Sequence, residues 1–342
     1  MKEVLQKLTR REDLTPEEIY NVIHAIDQGE VSDVQIAGFL VSLLMKGPTV
    51  PEIAAIARAM RDHCDQIAPK VSGELIDTCG TGGGLSTFNI STGVAIVAAG
   101  AGIPVAKHGS RSISSLSGSA DVLESLGVEI NLSPGSVEQL ISEVGIGFMY
   151  APLFHPVMHK VLPPEQALGI KTIFYTIIGP LINPAGANRH ILGVYQPGLV
   201  DVVADVASQL DYDHALVVHG LDGLDEISLL GPTQVAEVKG GTVTKYQVAP
   251  EDFGFERATL EDIKTGMPEV NATILRAIFA GEERGHKRNA VVLNAAGALV
   301  VGGKATDLHE GVRLAEEIID QGKAQAKLEE LIEASQRLPK AS

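Results

Sequence analysis

From Glu74 onward the chain alternates short β-branched runs with helix-forming stretches, and this limits the available folds more than any other feature. ELIDTC precedes a helix from about Asn89, PVAKH a helix through SADVLESLG, and VEINL a helix opened by Ser133-Pro134; HALVVHG at 214–220 follows the helical PGLVDVVADVASQL. Strands joined through helices run parallel, because the crossover returns the chain to the same end of the sheet. The expectation is an α/β fold with a mostly parallel central sheet flanked by helices. TQVAEVKGGTVTKYQV, split at Gly240-Gly241, reads as a hairpin, and the chain from RNAVVLNAAGALVVGG onward returns to helix.

The first seventy residues follow a different rule. Thr15-Pro16-Glu17-Glu18 forms a capping box with Pro at the first helical position, and Gly29 stops that helix. Ser32 opens VQIAGFLVSLLM, which ends at Gly47-Pro48, and Thr49 to Glu52 form a second box before IAAIARAMRDHCDQI. A chain of 342 residues exceeds the roughly 250–300 at which single cores stop growing. The division expected is a small all-helical N-terminal domain, 1–70, and a large α/β domain, 71–342.

Charge narrows the partners. The net charge is −16, and no basic run exceeds short pairs such as Arg10-Arg11, so a nucleic-acid partner is not expected. Cys64 and Cys79, the two cysteines, are too few for a disulfide scaffold and fit a reducing, cytoplasmic setting. MKEVLQKLTRRED lacks the apolar core of a signal peptide, and the longest apolar run, VAIVAAGAGIPVA, is too short to span a bilayer, so no membrane partner is expected.

The chemistry concentrates in DTCGTGGGLSTFNIST, 77–92. A G-x-G-x-x-G beginning at Gly80 would need glycine at Leu85, and no Gly-Lys-Ser/Thr follows, so the run is neither a dinucleotide fingerprint nor a Walker loop. It is either a close-packing turn or an anion pocket at a helix start. Charge distribution decides: the chain carries 43 acids, yet Thr78 to Ala120 holds none while containing Lys107, His108 and Arg111. Backbone donors, a helix N-terminus and local positive charge together suit phosphate. The second loop, KHGSRSISSLSGSAD, also follows a strand and precedes a helix; Lys107 supplies a point charge, and Ser117 or Ser119 a hydroxyl at the helix start. In HGLDGLDEIS, Asp225 and Glu226 lie just past a strand, where a divalent cation would reconcile them with a polyphosphate. KTIFYTIIGPLINPAG, 171–186, reads as irregular and apolar, either a linker or the lining of an acceptor pocket.

GTGG with TFNIST, KHG-x-R with SGSADVLESLGV, TIFYTIIGPLINPAG and GLDEIS, in this order, resemble the motifs of the anthranilate phosphoribosyltransferase family, related in fold to the pyrimidine nucleoside phosphorylases. The resemblance implies an Mg²⁺-dependent transferase of tryptophan biosynthesis, a cytoplasmic homodimer whose small domain is completed by about 160–190. It implies that phosphoribosyl pyrophosphate lies against Gly80, Gly82, Gly83, Thr87, Asn89, Ser91, Thr92, Lys107 and Ser119. Anthranilate would meet Gly80, His108, Ser110, Pro152, His155 and Lys171. Asp225 and Glu226 would hold Mg²⁺, with Ser91 on a second ion, and Lys107 and His108 would act in catalysis, His108 as a candidate for removing the amine proton. Gly84, Ser110, Lys171 and Tyr175 stand where the family usually has Asp, Asn, Arg and Asn. Three of these departures touch the acceptor side. They leave open transfer to another aromatic acceptor, and a non-catalytic relative that binds nucleic acid is the other alternative.

Overall fold

The computed structural model describes residues 1–112 and 116–341; Ile113, Ser114 and Ser115 of the second loop, and Ser342, lie outside the described residues. The chain opens with four helices, α1 (Lys2–Thr9), α2 (Pro16–Asp27), α3 (Asp33–Lys46) and α4 (Val50–Asp62). Their ends are set as their caps dictate. The Thr15 hydroxyl accepts the Glu18 N–H at 3.2 Å while the Glu18 carboxylate accepts the Thr15 N–H at 2.9 Å, and Thr49 and Glu52 repeat the arrangement.

The α/β part continues through β1 (Ile76–Asp77), α5 (Ile90–Gly100), β2 (Val105–Gly109), α6 (Ser119–Leu126), α7 (Pro134–Val144), β3 (Ile146–Tyr150), α8 (Pro156–Leu168) and β4 (Arg189–Gly193). β5 (His214–Gly220), β6 (Thr233–Lys239) and β7 (Thr242–Val248) complete a sheet of seven strands, in the order β3-β2-β1-β4-β5-β6-β7. β1 to β5 are parallel, and β6 and β7 add the antiparallel hairpin expected around Gly240-Gly241.

The sheet is a wall between two cores. Ile191, Leu216, Val218 and Val235 join one core with α5 and the helix His286–Val301. Their alternating neighbours Leu192, Val194, Val217 and Ala236 join the other, with α1 to α4, α8 and the helix Gly198–Gln209. The period of two along each strand is what gives each face its own set. Both faces are apolar, as a largely parallel sheet requires.

Three local expectations change. VEINL is not a strand: the Glu129 N–H donates to the Ser335 hydroxyl at 3.0 Å and the Asn131 carbonyl accepts from Ala341 N–H at 2.7 Å, so the end of the chain meets its backbone groups. IGFMY and RHILG, by contrast, are strands. The stretch 171–186 is largely helical: a π-helical turn at Phe174–Ile178 runs directly into the short helix Gly179–Leu181, which contains Pro180.

From β1 the chain moves outward to β2 and β3, then crosses back to place β4 on the other side of β1. Connections leaving β1 and β4 in opposite directions open a crevice at the carboxyl ends of these strands. The glycine loop, the second loop and the turn after β5 all begin there.

Candidate active site

The glycine loop is held at its root by Asp77, fully buried at the end of β1. Its Oδ1 accepts the N–H groups of Thr78 at 2.6 Å, Cys79 at 3.1 Å and His108 at 3.2 Å; its Oδ2 accepts Asn183 Nδ2 at 2.7 Å. One carboxylate thus ties together β1, β2 and the segment after Leu181, offsetting its burial with four donors. Beyond it, Gly82 and Gly83 take φ of +62° and +87°, a left-handed path that side chains disfavour. Gly84 is required for a different reason: a Cβ there would lie 2.8 Å from both Asp225 Oδ1 and the Gly223 carbonyl. The loop therefore packs against the acidic turn, and glycine in place of the family's Asp is what admits that contact.

Lys107, on β2 and 3% exposed, directs its ammonium to the hydroxyls of Thr78 at 3.1 Å and Ser91 at 3.4 Å. Ser91 lies in the first turn of α5, at the positive end of the helix dipole, and its N–H meets the Glu226 carboxylate. Asp225 and Glu226 face the same place from the turn after β5. Burial raises the pKa of both, and the charge of Asp225 helps to raise Glu226 to about 8, while Lys107 pulls it down. A divalent cation would restore the charged forms. Among the described residues no three His, Cys, Asp or Glu could hold a metal. Two carboxylates with the remaining positions left to water or phosphate oxygens are the usual arrangement for Mg²⁺, so the donor set fits that ion.

The positive charge of the second loop is smaller than its composition implies. Arg111 is paired with Asp121 and Glu124, each at 2.9 Å, and burial lowers His108 to about 4, leaving it neutral. Lys107 is the loop's cation for an anion. Ser119 opens α6, and its hydroxyl reaches back to the Ser110 carbonyl at 3.4 Å; Ser110 itself is exposed.

His108 and His155, 3% and 2% exposed, meet edge to face with 3.0 Å between their Nε2 atoms. Burial lowers His155 too, followed by the charge His108 would carry. One ring donates and the other accepts, so the pair is a neutral wall with weak basicity. Pro152 adjoins it, its carbonyl accepting from His159 at 2.7 Å. Lys171 stands apart: it is exposed, with its ammonium 4.9 Å from the centre of the Tyr175 ring. Thr92 is fully buried with its hydroxyl enclosed, so its side chain is not presented to a ligand. The Thr87 backbone forms an isolated antiparallel bridge with Lys264.

Asp77, Thr78 and Asn183 were not among the residues expected from sequence. The signal was present for Asp77, an acid inside a buried strand immediately before a glycine loop. For Asn183 the polar residue was hidden between Ile182 and Pro184 in an apolar run.

Residues 72–325 match the α/β domain, and 2–64 the helical bundle domain, of the glycosyl transferase family model. A protein of Desulfosudis oleivorans called anthranilate phosphoribosyltransferase is 50% identical over 332 residues, covering 97% of each chain. The solved structure of that enzyme from Thermus thermophilus superposes with a TM-score of 0.91 at 42% identity, over 97% of this chain and 99% of the other. A Saccharomyces cerevisiae counterpart, solved with PRPP and Mg, gives 0.89 at 29% identity over 98% of each chain. The yeast enzyme has also been solved with 4-fluoroanthranilate, giving 0.88 at 28% identity over 98% of this chain and 97% of the other.

Proposed function

Because the chain belongs to the anthranilate phosphoribosyltransferase family, we propose that it transfers the phosphoribosyl group of phosphoribosyl pyrophosphate to the amine of anthranilate, releasing pyrophosphate, in tryptophan biosynthesis. The observation that carries this reading is the buried Lys107 ammonium, joined to the Thr78 hydroxyl just after β1 and the Ser91 hydroxyl in the first turn of α5, and facing the Asp225-Glu226 turn. Anion donors and cation ligands meet there within one crevice.

In the reaction the amine nitrogen attacks the anomeric carbon, the bond from that carbon to the pyrophosphate oxygen breaks, and the amine then gives up a proton. Lys107, the loop amides and the hydroxyls of Ser91 and Ser119 hold the departing phosphates, where negative charge grows in the transition state. Asp225 and Glu226, with Ser91 beside them, would hold Mg²⁺, which would neutralise part of that charge. The His108–His155 wall would orient the acceptor ring and exclude water. A histidine lowered to about 4 is a weak base, so holding the amine in line matters more than pulling its proton.

The same reading takes residues 1–70 with about 160–190 as a small helical domain and 71–342 as the large one. The working protein is a cytoplasmic homodimer with no nucleic-acid or membrane partner; among the described residues no helix is long and apolar enough to cross a membrane. Lys171 on Tyr175 supports a second reading, an aromatic acceptor other than anthranilate.

Pyrophosphate release tests both. Release that needs Mg²⁺ and anthranilate, and that Asp225→Asn/Glu226→Gln abolishes, is the expected result. Release stimulated by another aromatic amine in preference to anthranilate would favour the second reading, and no binding of phosphoribosyl pyrophosphate would remove both.

A further inference from the structure

Asn271, on the helix Pro268–Phe279, is fully buried and lies outside every motif that marks the site. Its Oδ1 accepts the Gly266 N–H at 2.8 Å. A backbone N–H can only donate, so this bond settles which way round the Asn271 amide sits. Its Nδ2 then donates to Asn89 Oδ1 at 2.9 Å and to the Thr265 hydroxyl at 3.2 Å. Both its hydrogens are spent.

The polarity passes on to Asn89, the residue preceding α5. Asn89 Oδ1 also accepts from the Ser117 hydroxyl at 2.9 Å, which fills its second lone pair. Asn89 Nδ2 gives one hydrogen to the Ser117 carbonyl at 3.1 Å, and its other hydrogen has no further partner among the described residues. An Asn89 locked in this way can offer an incoming group only a donor, never an acceptor. A donor is the polarity an anionic phosphate needs, whereas a turned-over amide would present oxygen to oxygen.

We infer that Asn271 is a positioning residue for the anion site, setting the Asn89 amide so that its N–H points to phosphate, and joining the Thr265-Gly266 segment to the glycine loop and the second loop. The inference rests on the phosphoribosyl pyrophosphate reading above.

Asn271→Asp tests it, because an oxygen then faces Asn89 Oδ1 while the acceptor for Gly266 N–H is kept. The KM for phosphoribosyl pyrophosphate should rise about tenfold or more, as expected for losing a hydrogen bond to a charged group, with the KM for anthranilate within about twofold of wild type. In a double-mutant cycle, adding Asn271→Asp to Asn89→Ala should raise that KM no further. If Asn271→Asp does not fold, Asn271→Ser, too short to reach Asn89, should show the same split and the same lack of additivity. Titration calorimetry of the wild type with Mg²⁺ and phosphoribosyl pyrophosphate separates the two readings. No heat of binding there overturns the proposed function and this inference together. Wild-type binding with an unchanged KM in the Asn271 variant, or with effects that add in the cycle, overturns the inference alone.

Discussion

Asp77 Oδ2 and Asn183 Nδ2 meet at 2.7 Å across 106 residues of chain, and the same Asn183 amide donates to the Ala106 carbonyl at 2.9 Å. The end of the 171–186 segment is thereby fastened to the strands that carry the glycine loop and Lys107. Asp77→Asn must place an amide nitrogen against either the backbone donors of Thr78, Cys79 and His108 or the Asn183 amide. At least one donor is left facing a donor, which costs about 1–3 kcal/mol or more for so buried a group. A fall of that size in urea unfolding, together with reduced pyrophosphate release, is the expected outcome; a variant as stable and active as wild type would show that the cluster does not organise the loops.

Lys107→Met removes the ammonium without opening a large cavity. Pyrophosphate release should fall about 100-fold or more, the usual scale for losing a preorganised donor to developing charge. Lys107→Arg should restore little, because a 3%-exposed site shaped for an ammonium has no room for the broader guanidinium. Steady-state kinetics with circular dichroism as a check on folding decides the point.

Gly84→Ala places a methyl where the gap to Asp225 Oδ1 and the Gly223 carbonyl is 2.8 Å. Either loop or acidic turn must shift, at about 1–3 kcal/mol for overpacking. The apparent affinity for Mg²⁺ should weaken severalfold with the KM for anthranilate little changed, read from activity against metal concentration.

Lys171→Ala should raise the KM for anthranilate about tenfold, the scale of a charge-assisted contact, and leave the KM for phosphoribosyl pyrophosphate in place. The reverse split would move Lys171 to the donor side of the reaction.

Acid should unfold the protein through its buried histidines. Folding holds His108 at about 4, against 6.5 in the unfolded chain, and burial likewise lowers His155 and His190. Above pH 6.5 the group is neutral in both states and costs nothing. Below it the unfolded chain takes up a proton that the native state refuses, so stability falls by about 1.4 kcal/mol per pH unit for each histidine until the folded pKa is reached. Glu226, held at about 8, and Asp225, also raised, keep protons in the native state that the unfolded chain releases, so they oppose this slope in denaturation; the histidine part is read by NMR, where the C2–H resonance of His108 should not titrate above pH 5.

Much of this was legible in one sequence because the features were local. Capping boxes name their own helix starts, Gly240-Gly241 names its hairpin, and the acid-free interval from Thr78 to Ala120 contains the glycine loop, Ser91 and Lys107 that meet at the crevice. Partners distant in sequence were hidden. The charge of Arg111 is neutralised by α6, which follows it, and the β-branched VEINL is completed by the chain terminus instead of a strand. IGFMY and RHILG are short and buried on both faces, so they carry no alternation to distinguish them. Asn183 and Asn271 are single polar side chains whose meaning depends on what the fold brings to them.

The packing of α8 against α2 and α3 sets an order of events for a ribosome. The Lys160 ammonium donates to the Asp27 carbonyl, 133 residues earlier, and Val157 and Val161 fill the core begun by Ile23 and Phe39. At about 5–20 residues per second, the first helices wait roughly ten seconds for α8 to be synthesised, their apolar faces uncovered. A nascent chain stalled between Asp62 and Pro156 would thus be the form most exposed to chaperones.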